Sequence, residues 1–207
     1  MPGLSNLQGN EMSQRIKRLA IFGCATLAVA ALSACSGIPT SRAPSAVTAN
    51  LPAGTLSTGE LQALDSRGKL PTLDWSEELK GVDKDGNGIR DDVDAILSTG
   101  GSGPAWHVEF KDPAKHAAVT QLAAAYQKVA TVDVKNSKAL NAVRLELAAA
   151  LECAQSQFAI TDETMVSSSL EVYTFNTAAR QQAKDAFWTA LGDGLSVSSD
   201  VKGCRGY

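Results

Sequence analysis

The sequence is poor in the groups that enzymes most often use. Its 207 residues include two histidines, His107 and His116, and aromatic residues make up 5%. Of the four cysteines, none stands with a histidine as a nucleophile and its base would. There is no G-x-S-x-G stretch. No segment keeps an apolar period of two, which argues against a half-buried sheet. No apolar run reaches the roughly 20 residues that a membrane-spanning helix needs. Positive charge is not in excess either: 19 Lys and Arg stand against 22 Asp and Glu, a net charge of −3. That balance argues against nucleic acid and against electrostatic docking on anionic lipid. The composition, 44% hydrophobic, is otherwise globular, and the length suits one domain with an appendage.

The appendage is N-terminal. "QRIKRLAIFGCATLAVAALSAC" opens with Arg15, Lys17 and Arg18 and continues as an apolar run from Leu19 to Leu32. A basic stretch before a short apolar one is the pattern of a secretory signal peptide. Leu32-Ser33-Ala34-Cys35 then resembles the bacterial lipobox, an aliphatic residue and two small ones before a cysteine. The resemblance implies a lipoprotein signal over residues 1–34, cut just before Cys35, whose thiol carries the lipid. Met12 gives this signal a tidier start than Met1. Ser36 after Cys35 implies, in enteric-type bacteria, the outer membrane facing the periplasm. Residues 1–34 hold three of the 19 basic and one of the 22 acidic residues, so the mature chain keeps 16 against 21, a net charge of −5. Lipid on Cys35, not a basic patch, is therefore the expected membrane contact, and two or more acyl chains make such an anchor stable.

The other cysteines sort by position. Cys24 leaves with the signal, and Cys153 and Cys204 remain as an even pair in an oxidising compartment. A disulfide between them is expected, closing a long loop worth about 4 kcal/mol in the chain-entropy account. Residues 35–72 are rich in Ser, Thr, Ala, Pro and Gly, with a faint helical hint in "TGELQAL". They read as a flexible tether.

Beyond residue 73 the texture is helical. "DDVDAIL" gives a short helix stopped by Gly100 and Gly101. Asp112 and Pro113 open a second, with Ala118, Leu122, Ala125 and Val129 on its apolar face. Asn136 or Ser137 caps a third, which carries one stripe of Leu140, Val143, Leu147, Ala150, Leu151, Ala154 and Phe158. Thr161 begins a fourth, with Met165, Leu170 and Tyr173. Asn176 or Thr177 caps a fifth, which is expected to bury Ala179, Ala183, Ala186 or Phe187, and Ala190, and to stop at Gly192. Trp188 adjoins Phe187, so one of the two is expected at the surface. The fold expected is all-α, a small antiparallel helical bundle over 73–207, preceded by the tether and an acidic loop.

That loop, "DKDGNGIRDDVD" at 83–94, is the most specific signal in the chain. Asp83, Asp85 and Asn87 occupy positions 1, 3 and 5, and Gly88 at 6 supplies the sharp turn. The Ile89 carbonyl at 7 can face inward, Asp91 falls at 9, and Asp94 at 12 closes the set. Calcium takes six to eight oxygens at about 2.3–2.6 Å, and this spacing supplies them. The closing residues depart from an EF-hand: Asp94 replaces the usual Glu, Arg90 stands at position 8, and no clear helix leads in. In these respects the stretch resembles one thrombospondin type 3 repeat. It is also similar to a segment of uncharacterised exported bacterial proteins. The resemblance implies a calcium ion with a structural role.

Other motifs fail on their own chemistry. His107-Val108-Glu109 resembles the H-x-E of zinc deaminases, but no P-C-x-x-C follows. "RGKL" at 67–70 has Ala63 where a phosphate loop needs Gly, and no Ser or Thr follows Lys69. The expected function is a lipid-anchored envelope protein with a non-enzymatic adaptor or accessory role. The alternative is an envelope hydrolase or other enzyme whose site has no sequence signature.

Overall fold

The computed structural model describes residues 57–102, 106–192 and Cys204. Among these the chain is all-α: α1 (Thr58–Ser66), α2 (Asp91–Leu97), α3 (Pro113–Thr131), α4 (Ser137–Gln157), α5 (Ile160–Thr174) and α6 (Ala178–Leu191). The signal segment 1–34, Cys35 and residues 36–56 lie outside the described residues.

Helix α3 is central, packing against α2, α4, α5 and α6. Its start follows the expected chemistry: Asp112 accepts from the Ala114 and Lys115 N–H groups, and Pro113 takes the first turn, where a missing donor costs nothing. Ala118, Leu122, Ala125 and Val129 are all buried, together with Val119, Ala123, Tyr126 and Ala130. The many alanines let α4 approach closely, and α4 buries Val143, Leu147, Ala150 and Ala154 toward the core. Asn136, not Ser137, caps α4. A short connection between α3 and α4 makes them an antiparallel pair, tied at the surface by Lys128 and Glu146.

Two helices differ from their sequence reading. Helix α5 begins at Ile160 behind Ala159, with no side-chain cap, so Thr161 lies inside it. Helix α6 is capped by Thr177 and buries only Arg180 and Phe187. Of the residues expected inside, Phe187 rather than Ala186 is buried, Ala179 and Ala183 are half-buried, and Ala190 is exposed. The reason is packing on one narrow contact: Phe187 fills the space alone, and Trp188 beside it is 41% exposed.

Part of the stretch expected as tether is folded. Residues 57–72 belong to the folded domain. Ser57 and Glu60 form a reciprocal capping box at the start of α1, and Leu61 is fully buried in the common core. Asp65 accepts from the Trp75 Nε1–H at 2.6 Å and from the Leu73 N–H at 3.4 Å, fixing the chain that follows. The hint in "TGELQAL" was thus a helix whose single buried leucine left no visible period.

Cys153 and Cys204 are joined, with Cα atoms 4.5 Å apart and a sequence separation of 51. Cys153 is buried on the last turns of α4, and Cys204 is exposed.

Burial of Leu61 gives a direct test. Leu61→Ala in the mature chain should cost about 2–5 kcal/mol in urea unfolding, the range for emptying a core leucine site. A residue of a tether would give no measurable loss.

Candidate metal centre

The loop before α2 is a run of turns closed on itself by aspartate side chains. Asp83 Oδ1 accepts from the Gly86 N–H at 2.8 Å, and its Oδ2 from the Gly88 N–H at 3.2 Å. Gly88 sits at φ 87°, left-handed backbone that a Cβ would strain, which is why the turn at position 6 needs glycine. Asp85 accepts from the Asn87 N–H at 3.2 Å. Asp91 accepts from the Lys84 N–H at 2.9 Å, while the Asp91 N–H returns to the Val82 carbonyl at 2.8 Å. The loop therefore closes at both ends before α2 begins.

These bonds gather carboxylates. One oxygen from each of Asp83, Asp85 and Asp91 lies within 4.8 Å of the others. Oxygens sharing one calcium ion at 2.3–2.6 Å cannot be much farther apart than about 5 Å, so the spacing fits. Asp94 adjoins this group through Asn87. Burial raises its pKa most; a hydrogen bond from Asn87 lowers it, and the charges of Asp85, Asp83 and Asp91 raise it again.

Asn87 shows what balances the charge. Its Nδ2 donates to Asp94 Oδ2 at 2.6 Å and to Asp85 Oδ2 at 3.1 Å, while its Oδ1 accepts from the Ile89 N–H at 2.8 Å. The amide turns its only positive edge to the two carboxylates. A cation at that point would reverse the preference, drawing Oδ1 inward by rotation of the amide. Ile89 contributes no side chain to the cluster, since it is 2% exposed and belongs to the core. Of the expected set, Asp83, Asp85 and Asp91 bring carboxylate oxygens together, Asn87 bridges Asp85 and Asp94 through its amide, and Ile89 can offer only its carbonyl.

Arg90 and Asp92 carry the feature that sequence reasoning missed. Arg90 is 1% exposed, its guanidinium turned away from the acidic cluster into the protein. It meets Asp92 at 2.7 Å and donates to the Thr174 and Tyr173 carbonyls at 3.1 and 3.2 Å, at the end of α5. Asp92 also accepts from the Asp74 N–H at 2.8 Å. Gly81 makes room for this insertion, since a Cβ there would lie 2.3 Å from Arg90 Cδ. The departure from the EF-hand pattern at position 8 was the available signal, but it gave no partner.

The two histidines stand apart from the acidic cluster. His107 is exposed, and His116 lies 3.4 Å from Thr120 Oγ1 and 6.1 Å from the Phe110 ring. Beside the loop a hollow of about 260 Å³ is lined by Asn87, Ile89, Thr120, Gln121, Lys128 and Glu146, among others. Compared with known protein families, with curated proteins and with solved structures, the chain matches none.

Removing one of the facing charges should help the metal-free protein. In the presence of a chelator at neutral pH, Asp94→Asn is expected to raise the melting temperature by about 2 °C. The asparagine keeps an oxygen for Asn87 and ends the repulsion. A clear fall in melting temperature would mean that Asp94 is held by an attraction absent from this geometry.

Proposed function

We propose that this chain is a lipid-anchored protein of a bacterial envelope, and that its helical domain is stapled by one structural calcium ion in an adaptor or accessory role. The observation that carries the metal reading is the convergence of Asp83, Asp85 and Asp91 within 4.8 Å, on the spacing of a calcium loop. Asp83, Asp85, Asn87 after its amide turns, the Ile89 carbonyl, Asp91 and Asp94 would hold the ion. The ion supplies positive charge and six or more bonds to a loop that otherwise concentrates like charge. A structural role follows from where the loop is attached: Arg90 within it reaches the end of α5. Tightening the loop would thus tighten a corner of the bundle. An envelope site bathed in outside calcium works at roughly 10⁻⁴–10⁻³ M and stays filled, which suits a staple better than a signal.

The anchor reading is supported by the basic stretch, the short apolar run and the Leu32-Ser33-Ala34-Cys35 sequence in register. A bridged Cys153 and Cys204 suits an oxidising compartment. The chain after residue 34 has 16 basic against 21 acidic residues, a balance that does not favour anionic lipid, so the thiol of Cys35 is the proposed attachment.

Two experiments test the two halves. Millimolar calcium should raise the melting temperature of the domain from residue 57 onward, since a ligand at a hundredfold excess over Kd stabilises by about 2.7 kcal/mol. Magnesium, which demands a tighter octahedron, should do less. Asp83→Ala combined with Asp85→Ala should abolish the calcium effect and leave the helical circular dichroism intact. Equal melting in calcium and in chelator would reduce the loop to a set of turns. For the anchor, metabolic labelling with a fatty acid should mark the wild type and not Cys35→Ser; an unlipidated mature N-terminus in the wild type would refute it.

A further inference from the structure

Helix α6 is attached differently from every other long helix of the domain. Nine of the 19 residues of α3 are buried, whereas α6 buries two of 14, Arg180 and Phe187. One of those two is a charge. Its whole hydrogen-bonding capacity goes to the segment before the acidic loop and to the corner before α6. Nε donates to the Glu78 carbonyl at 3.0 Å, one terminal nitrogen to the Glu78 carbonyl at 2.7 Å and to Asp74 Oδ2 at 2.9 Å. The other donates to the Asp74 carbonyl at 2.7 Å and to Asn176 Oδ1 at 2.8 Å. The Ala179 N–H adds a bond to Glu77 at 2.7 Å. All of this lies in the first turn of α6.

Farther along, attachment thins. Lys184 pairs with Glu171 at 2.5 Å and lies 5.6 Å from the Phe175 ring centre. Phe187 is the one apolar residue of α6 that is fully enclosed. Partly exposed ion pairs contribute little, so the second half of α6 rests mainly on a single ring. The chain then runs on to Cys204, which is bonded to Cys153 on α4. A departure of α6 from its seat therefore cannot carry it away from the domain.

We propose that α6 is a strap that opens as one unit while α3 and α4 stay folded. The Arg180 guanidinium on Asp74 and Glu78 is the latch that holds it shut, and the Cys153–Cys204 bond keeps the opened strap attached. The elements that move in such sub-global openings are those with few buried apolar contacts, and α6 has the fewest of the long helices. Opening withdraws Phe187 and uncovers the flank of α3 on which it sits.

Native-state hydrogen exchange of the oxidised mature protein, resolved by helix, tests this. In the wild type the amides of α6 should exchange at least about tenfold faster than those of α3 and α4, with a urea dependence clearly above zero but smaller than that of α3 and α4, as a sub-global opening requires. Arg180→Lys keeps the charge and loses the fork of hydrogen bonds. It should speed exchange in α6 by a further tenfold or so and change α3 and α4 by less than about twofold. If the variant does not fold, the wild-type comparison decides alone. Equal protection of α6, α3 and α4 in the wild type, falling together with urea, would overturn the strap.

Discussion

Two guanidinium groups buried beside each other set the arrangement of this domain. Arg90 and Arg180 are 1% and 0% exposed, and a buried charge without partners costs far more than any single packing contact returns. Each is answered by a carboxylate and by carbonyls: Arg90 by Asp92 and the end of α5, Arg180 by Asp74, Glu78 and Asn176. Burial, and then the charge of Arg90, lower the pKa of Arg180, while Asp74 and Asp92 push it back up. Burial would raise the pKa of Asp74, but hydrogen bonds involving Ser76 and the Arg180 guanidinium outweigh it and hold the group below its ordinary value. Four charges, two of each sign, are thus linked through the Asp74 N–H that bonds Asp92. Removing any one strands the others. The segment from 74 to 92, the α5–α6 corner and the acidic loop are fixed by the same few bonds.

How much of this was legible follows from distance along the chain. Helices α3 and α4 are long enough for their apolar periods to repeat, so their faces and caps could be read at sight. Helix α1 buries one leucine in nine residues, and no period can be seen in a single point. In α6 the alanines at helical spacing suggested a stripe, but Arg180 and Phe187 do the packing and the alanines fill the gap to solvent. The start of α5 misled because Thr161 has the right chemistry for a cap, two positions too late. Apart from Asp92 and Asn176, the arginine partners lie 83 to 106 residues from their donors, beyond the reach of any local pattern.

The candidate metal site was more legible than the fold around it, because its residues are neighbours in sequence. Alternation of Asp83, Asp85 and Asn87, with Gly88 to turn, specifies side chains that converge. What the alternation did not show is that consecutive residues face opposite ways. Asp91 turns to the acidic cluster, whereas Asp92 turns to Arg90. The loop is a two-sided strip: one edge concentrates negative charge toward solvent, and the other inserts a paired positive charge into the interior. An ion held on the first edge, as proposed, would be joined to the helix corner on the second by backbone alone.

The separation of the arginines from their partners also sets an order of assembly. The α3–α4 pair closes over neighbouring segments, with Lys128 and Glu146 only 18 residues apart, and local contacts form fastest. Asp74 and Arg180 are 106 residues apart. A chain that emerges from its N-terminus presents Asp74, Asp92 and Arg90 long before Arg180 exists. Arg90 can seat on the carbonyls of Tyr173 and Thr174 once α5 is made, but Asp74 must wait for the second guanidinium. The hairpin of α3 and α4 is thus a scaffold available early, and the acidic loop is a late arrival that locks only when the last helix has been delivered. Any truncation before residue 180 leaves that lock without its bolt, however sound the hairpin.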